Sequence, residues 1–510
     1  MHLKKQLFGY SPLAGVVLAA MGLLASSRAL GAPVPFDTVS SRSEQLGFSA
    51  SSPQIVGTAT TDFLTLSSQF YESNSPASTK LIHFARTGSN YTKAWEKQLP
   101  LPRLVGMTSD GSNFYIVSAA WEDKSTDPNP NVFRTNILIM TKLDSKGNQL
   151  WQRDLNNSAY LGNDTHGAIY SPLTAGTGAV SYGAGKIIVA LTSNTEMDLN
   201  GFRHQRAQYF AVNADGTGFG EASETSWRHS FDQRLLFDGQ DFIFTDLGDA
   251  GWYMPAGGIT VRKFRPTSTG VDFIGDRENK QGTYIYARQS ETAGNQNFTF
   301  TSIGDLELGA TGYLALFTSE KGNPTVSREG WSQPVTEPRN LGFVHVTRNF
   351  ETVREGKWGA NPTLGNTIIE NNEPTKINID RSVVDSNGPS DTFQRPDKPN
   401  KSFTQSGIVW LTNLAAGVSA ERSKLVKLAN GRFVALWEEW TYSGNQLAYG
   451  ATKGLIINEQ GQILAGPVSL SGRLNPSGAD RPFILDGKAA WIISDASTGK
   501  FSLYSVDTNL

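Results

Sequence analysis

The feature that most narrows what this chain can fold into is a recurrence: a glycine-containing turn followed by a short apolar run. It appears as Gly111-Ser-Asn-Phe-Tyr-Ile-Val-Ser, Gly185-Lys-Ile-Ile-Val-Ala-Leu and Gly239-Gln-Asp-Phe-Ile-Phe-Thr. It returns as Gly312-Tyr-Leu-Ala-Leu-Phe, Gly431-Arg-Phe-Val-Ala-Leu-Trp and Gly487-Lys-Ala-Ala-Trp-Ile-Ile, and a weaker copy, Thr61-Asp-Phe-Leu-Thr-Leu, precedes them all. From Gly111 the copies are 74, 54, 73, 119 and 56 residues apart. A four-stranded blade of a radial β fold takes about 40–50 residues. The shorter intervals therefore hold one blade each, and the 119-residue interval holds an extra blade or a long insertion.

A second element follows the first. Leu143-Asp-Ser-Lys-Gly-Asn-Gln-Leu-Trp151, Val212-Asn-Ala-Asp-Gly-Thr-Gly-Phe219 and Ile457-Asn-Glu-Gln-Gly-Gln-Ile-Leu464 each read as strand, polar turn, strand. Asp or Asn with Gly supplies the positive-φ residues that a tight hairpin needs. After the N-terminal segment, no stretch combines helix caps with a 3.6-residue apolar stripe. The expected fold is all-β, a single β-propeller of about seven four-stranded blades, with six to eight compatible with the spacing. A β-sandwich or β-helix also repeats strands, but not as a strand-plus-hairpin unit at this period. The region near 361–401, rich in Asn, Pro, Asp and Ser, is expected to be a long loop or insertion in the domain spanning 33–510. Residues 33–50 are expected to pair with Phe501-Ser-Leu-Tyr-Ser-Val, because a strand from the opposite terminus removes two exposed sheet edges.

The hairpin Asp144-Ser-Lys-Gly-Asn-Gln-Leu-Trp151 resembles the blade hairpins of exported bacterial propeller repeat proteins, of the structured-bacterial and quinoprotein-like types. One hairpin matches well and two loosely, so the resemblance implies architecture and no activity. Quinoprotein dehydrogenases of this kind carry a docking Trp in most blades, whereas here Trp151 alone fits that pattern. The vicinal cysteines of some of these enzymes are also absent, which weighs against a quinone cofactor.

Lys4 and Lys5, an apolar core from Leu13 to Leu24, and small residues up to Ala32 follow the order of a secretory signal peptide, expected over residues 1–32. Its apolar core is shorter than the ~20 residues that span a bilayer, so no transmembrane segment is expected in the mature chain. There is no cysteine among the 510 residues. That excludes thiol catalysis, cysteine-ligated metal and a lipid-modified N-terminal cysteine, and a large β core does not need disulfides. The expected location is the periplasm or the medium. Removing residues 1–32 takes away Lys4, Lys5 and Arg28 and no acid, so Lys+Arg falls from 45 to 42 against 47 acids and net charge moves from −2 to −5. Without basic clusters to meet phosphates, nucleic acid is excluded as a partner.

In a propeller, the exit of each second strand and the connection between blades share one face, where ligands bind on loops held by a rigid scaffold. Acids stand at these exits, among them Glu122, Glu196, Asp246, Asp249, Glu320, Glu438 and Glu439. His166, in Asn163-Asp-Thr-His-Gly-Ala, and His229, in Trp227-Arg-His-Ser-Phe-Asp232, precede first strands on the same face. Imidazole with carboxylates suits a divalent ion or a general acid–base pair. The binding candidates are His166, His229, Asp232, Asp246, Asp249, Glu122, Glu196, Glu438 and Trp252, with His166 and Asp249 the candidate metal ligands. The plainer alternatives are that acids are common in loops, that His229 with Asp232 fastens adjacent blades, and that aromatics such as Trp252, Trp437 and Trp440 pack between blades. His83 and His345 lie in strand-like runs and are expected to be structural.

No Gly-x-Ser-x-Gly elbow, phosphate loop, EF-hand or sialidase-type Ser-x-Asp-x-Gly-x-x-Trp box is present. No catalytic residue can be named and no cofactor is certain, a divalent metal ion being the one candidate. The first expectation is an exported binding propeller whose loop face takes a glycan, peptide or protein partner. The runner-up is a hydrolase or lyase using His166, His229 and Asp249, with or without a metal.

Overall fold

The computed structural model describes residues 34–37, 54–57, 63–68, 79–87, 90–99, 103–119, 138–155, 178–197, 203–217, 219–220, 232–248, 257–268, 270–274, 283–288, 301–320, 338–348, 366–370, 373–379, 390–394, 402–406, 408–443, 446–474, 480–485, 487–495 and 500–506. Apart from one short 3-10 turn, every regular element among them is a β-strand.

Val34–Asp37 (β1) belongs with the last sheet. Gln54–Gly57, Phe63–Ser68, Thr79–Thr87 and Asn90–Gln98 (β2–β5) form the first sheet. Arg103–Ser109, Asn113–Ala119, Leu138–Asp144 and Gln149–Asp154 (β6–β9) form the next. Ala179–Gly183, Lys186–Met197, Arg203–Asn213 and Phe219–Gly220 (β10–β13) follow. Then come Asp232–Phe237, Phe242–Gly248, Gly257–Pro266 and Val271–Phe273 (β14–β17), with Thr283–Arg288 (β18) also pairing with β16. Ser302–Leu308, Gly312–Glu320 and Arg339–Thr347 (β19–β21) are completed by Ile408–Trp410 (β26). Between β21 and β26 the chain makes two hairpins, Asn366–Glu370 with Glu373–Ile379 (β22, β23) and Ser390–Gln394 with Ser402–Ser406 (β24, β25). The region expected as a long loop or insertion thus lies inside one sheet's third connection. Val418–Lys427, Arg432–Ser443, Gln446–Asn458 and Ile463–Leu470 (β27–β30) precede Phe483–Leu485, Lys488–Asp495 and Lys500–Val506 (β31–β33), which β1 joins as the outermost strand.

Within each sheet neighbours are antiparallel and mostly sequential. The first strands pack side by side in a closed cycle: β2, β6, β10, β14, β19, β27, β31 and back to β2. This is an all-β propeller. Each repeated run in the sequence forms the second strand of its sheet (β3, β7, β11, β15, β20, β28 and β32), and the polar hairpins form the outer two strands. Val34 pairs with Ser505 and Asp37 with Ser502, so the last sheet is built from both ends of the chain.

Burial explains why these sheets face one another. Buried side chains of β14–β16 and β18 join those of β19–β21 in one cluster, those of β6–β8 join those of β11 and β12 in another, and those of β20 and β21 join those of β27–β29 in a third. A blade is therefore apolar on both faces, which is why its second strand reads as a continuous apolar run and not an alternating one.

The outer hairpins add a polar latch. Trp95 Nε1 donates to Ser145 O at 2.9 Å and Lys97 Nζ to Gly147 O at 3.1 Å. One sheet on, Trp151 Nε1 donates to Ala214 O at 3.3 Å and Arg153 Nε to Gly216 O at 2.8 Å. Trp95 plays the same docking role as Trp151, a copy that sequence reading missed because no Asx-Gly turn precedes it. Each tryptophan rests on the positive-φ glycine of the next hairpin, where a Cβ on Gly147 or Gly216 would come within 2.9 or 3.0 Å of the ring.

Candidate functional site

Register shows which edge of the sheets the candidate acids occupy. Gln233 at the start of β14 pairs with Asp246 near the end of β15, and Glu421 early in β27 pairs with Glu438 late in β28. First strands therefore begin where second strands end, and the acids at those ends share an edge with the start of the central strands.

Of the candidate residues, His166, His229, Asp249, Glu122 and Trp252 lie outside the described residues, and the Glu196 side chain does too. Asp232, Asp246 and Glu438 are placed. Asp232 accepts from both terminal nitrogens of Arg234, from Nη2 at 3.4 Å, and from Ile303 N at 3.1 Å, joining β14 to β19. Asp246 is fully buried, and its Oδ1 accepts from Arg262 Nη1 at 2.8 Å and from the Thr260 hydroxyl. Glu438 is fully buried too. Its Oε1 accepts from Arg473 Nε at 2.9 Å and Leu474 N at 2.7 Å; its Oε2 accepts from Trp440 Nε1 at 2.9 Å and faces Arg422 Nη1 at 3.3 Å. Glu320 is likewise buried at the end of β20, opposite Arg339. Among the described exits, then, Asp246 and Glu438 are counter-ions to arginines. A buried charge persists only when paired and hydrogen-bonded.

A second ionic cluster links the first strands β14, β19 and β27. Asp305 on β19 is fully buried and meets Arg481 Nε at 3.1 Å, Arg234 Nε at 3.6 Å and Leu425 N at 3.2 Å. Arg481, just ahead of β31, also donates to Leu235 O at 3.4 Å, to Leu306 O, and to Glu307 at 3.1 Å. Lys424 Nζ donates to Asp480 O at 2.6 Å. Burial pushes the Asp305 carboxyl up despite Arg481, Arg234 and Lys424, and it pushes Lys424 down. Beside this cluster lies a cavity of about 150 Å³ lined by Val56, Met107, Gly178, Gln233, Arg234 and Arg481, among others. Arg234 directs its donors to Asp232 and to three backbone carbonyls, so its role there is to tie β14 to β19.

The remaining histidines described are also in contact with neighbours. The buried His83 ring stacks on Trp95 at 5.1 Å, and His345 Nε2 faces Glu459 Oε1 at 3.3 Å. Among the described residues no three His, Cys, Asp or Glu side chains converge as a metal site would require. No helix among them is long and apolar enough to cross a membrane. Sequence reading did not identify Arg422, Arg473, Arg262 or Arg481. Only the positions of Arg473 and Arg481, both in the connection between two blades, could have pointed to any of them.

No family model matches the chain, and no curated relative matches it. Several solved structures resemble it distantly. Parainfluenza virus 5 hemagglutinin-neuraminidase is 8% identical over 85% of this chain and 94% of its own, with a TM-score of 0.36. Trypanosoma rangeli sialidase is 12% identical over 80% of this chain and 68% of its own, at 0.34. An endo-arabinase from Bacteroides thetaiotaomicron is 9% identical over 66% of this chain and 90% of its own, at 0.26. The propeller architecture rests on the sheet order and the cycle of central strands.

Proposed function

We propose that this chain is an exported ligand-binding propeller, free in the periplasm or medium, that takes a glycan on the face where its central strands begin. Each sheet of four or more strands counts as one blade in this reading, seven in all. The observation that supports binding over turnover is the state of the described acids on that face. Asp246, Glu320 and Glu438 are all sealed from solvent, and Asp246 and Glu438 are clamped by arginine. General acid–base chemistry needs a carboxyl within hydrogen-bond reach of substrate, and these three do not offer one. Nearer solvent the partly exposed acids Asp232, Glu421 and Glu439 are each engaged with a cation, and Arg422 and Arg473 stand beside them. A peptide or protein ligand, and a hydrolase built on His166, His229 and Asp249 with a divalent ion, are the competing outcomes of the test. The purified mature protein is titrated against a panel of polysaccharides and peptides, with product ends measured in the same samples. Saturable glycan binding with no new ends is expected. Chelator-sensitive release of ends would establish the hydrolase instead.

A further inference from the structure

On the sheet β27–β30 the same face carries a group of side chains that the burial of Glu438 alone does not explain. Arg422 and Arg473 both lie over the Trp440 ring, 5.1 and 4.9 Å from its centre. Arg473 also stacks 3.8 Å from the centre of Tyr449, and the two rings meet edge to face at 6.0 Å. Two irregularities in the strands bring these groups together. The β27–β28 register slips between Glu421 and Lys424, and the β28–β29 register slips between Glu439 and Trp440. At the first slip Arg422 adopts φ 53°, a left-handed conformation that favours glycine. A bulge re-aims a side chain, and here the re-aimed side chain is a long cation in a backbone state that L side chains rarely adopt.

The order of exposure gives the site its polarity. Glu438 at the bottom is fully buried, while the side chains of Arg422 and Arg473 above it are 28% and 36% exposed. A guanidinium has five N–H donors. Arg473 directs Nε and Nη2 to Glu438, and Arg422 directs Nη1 to Glu438 and, at 3.5 Å, to Leu474 O. Their other donors make no hydrogen bond among the described residues. The two acids at the rim are engaged elsewhere, Glu421 with Arg339 and Glu439 with Lys453 at 4.0 Å. The inner carboxylate thus fixes the arginines, and their outer edges face the solvent side.

We propose that Arg422 and Arg473, supported by Trp440 and Tyr449, form a subsite for the anionic group, carboxylate or sulfate, of an acidic polysaccharide. Planar N–H forks match such oxyanions. The faces of both rings are already covered by guanidinium, which leaves little apolar area for a protein hot spot and favours a ligand rich in anionic oxygen. The inference rests on the glycan-binding reading above and gives it a ligand class.

The test titrates the protein with polygalacturonate, dextran sulfate and neutral dextran, for wild type, Arg422→Gly and Arg422→Lys. Glycine suits the left-handed backbone and Arg473 still pairs with Glu438, so Arg422→Gly should remain folded at the titration temperature, which a melt of the variant checks. It should nevertheless weaken binding of the charged polymer roughly tenfold or more, while Arg422→Lys, which keeps charge and loses the fork, falls between. Preference for the uronate or for the sulfated polymer identifies which anion fits. Equal affinity of Arg422→Gly and wild type overturns the subsite, as does failure of both charged polymers to bind. Binding of neutral dextran that Arg422→Gly leaves unchanged also overturns it, and would leave the glycan-binding propeller standing. Release of new ends with the Arg422 effect intact would do the reverse.

Discussion

Glu459 shows how one side chain can hold two blades together. It stands in the turn between β29 and β30 and reaches the β19–β20 turn of the neighbouring sheet. There Oε1 accepts from Thr311 N and Thr311 Oγ1 at 2.6 Å each, and Oε2 accepts from Ala310 N at 2.9 Å. Burial works against its charge, but the bonds from Thr311, Ala310 and His345 prevail and hold the carboxyl at about 2, well below its ordinary 4.5. A depressed folded-state value means stability that is present above pH 4.5 and lost as pH falls toward 2. Glu459→Gln should cost roughly 1–3 kcal/mol at neutral pH, the range for removing hydrogen bonds to a charged group. In melts from pH 7 downward, the gap between variant and wild type should close below pH 4.5. A gap that stays constant would show that the carboxylate's charge does not carry the contact. No local pattern marks such a residue, since Ala310 and Thr311 lie 149 and 148 positions away. The same distance hid the arginines. Sequence reading found Asp246 and Glu438 at the strand exits as acids, but Glu438 meets Arg473 across 35 positions and Asp305 meets Arg481 across 176.

At the level of strands and turns the chain is far more legible, because the determinants are local. A glycine opens every second strand but β3, and the hairpin of Asp144 closes on its own side chain: Lys146 N and Asn148 N donate to Oδ1 at 2.9 and 2.8 Å. Asn458 does the same for Gln460 N and Gln462 N at 3.0 and 2.9 Å. What the repeat does not reveal is that its glycines serve two purposes. Gly239 has φ 99° with open space where a Cβ would sit, so backbone conformation alone requires it. Gly216 has φ 80° and also lies against Trp151. Gly239→Val should therefore cost about 1–2 kcal/mol from left-handed strain. Gly216→Val should cost more, because it also displaces the tryptophan that latches two sheets. Urea unfolding of the pair measures the difference, and equal losses would mean that the latch contributes nothing. Arg422 is the converse case: a bulge put a side chain where glycine fits, and composition gives no sign of it.

Across the whole molecule, the two ends of the chain meet in the last sheet, where β1 pairs with β33 while β31 packs beside β2. Cleavage of a signal peptide near Ala32 would leave Val34–Asp37 intact as the mature N-terminus. Deleting residues 33–37 as well should uncover the edge of β33 and cost on the order of 2–4 kcal/mol, at about 1 kcal/mol for each ladder hydrogen bond lost. It should also promote association, since an open strand edge is a template for pairing. Thermal melting and light scattering of the shortened protein check both effects, and an unchanged melt with no association would show that the ring does not depend on β1. A closed ring also has two distinct faces, and the central claim is that one of them binds ligand. Hydrogen–deuterium exchange tests this most directly, with and without whichever acidic polysaccharide binds more tightly. Protection is predicted over 418–423, 438–443, 446–450 and 471–474, where central strands begin and second strands end. Protection confined to 428–431 and 458–462, at the opposite ends of the same strands, would contradict it.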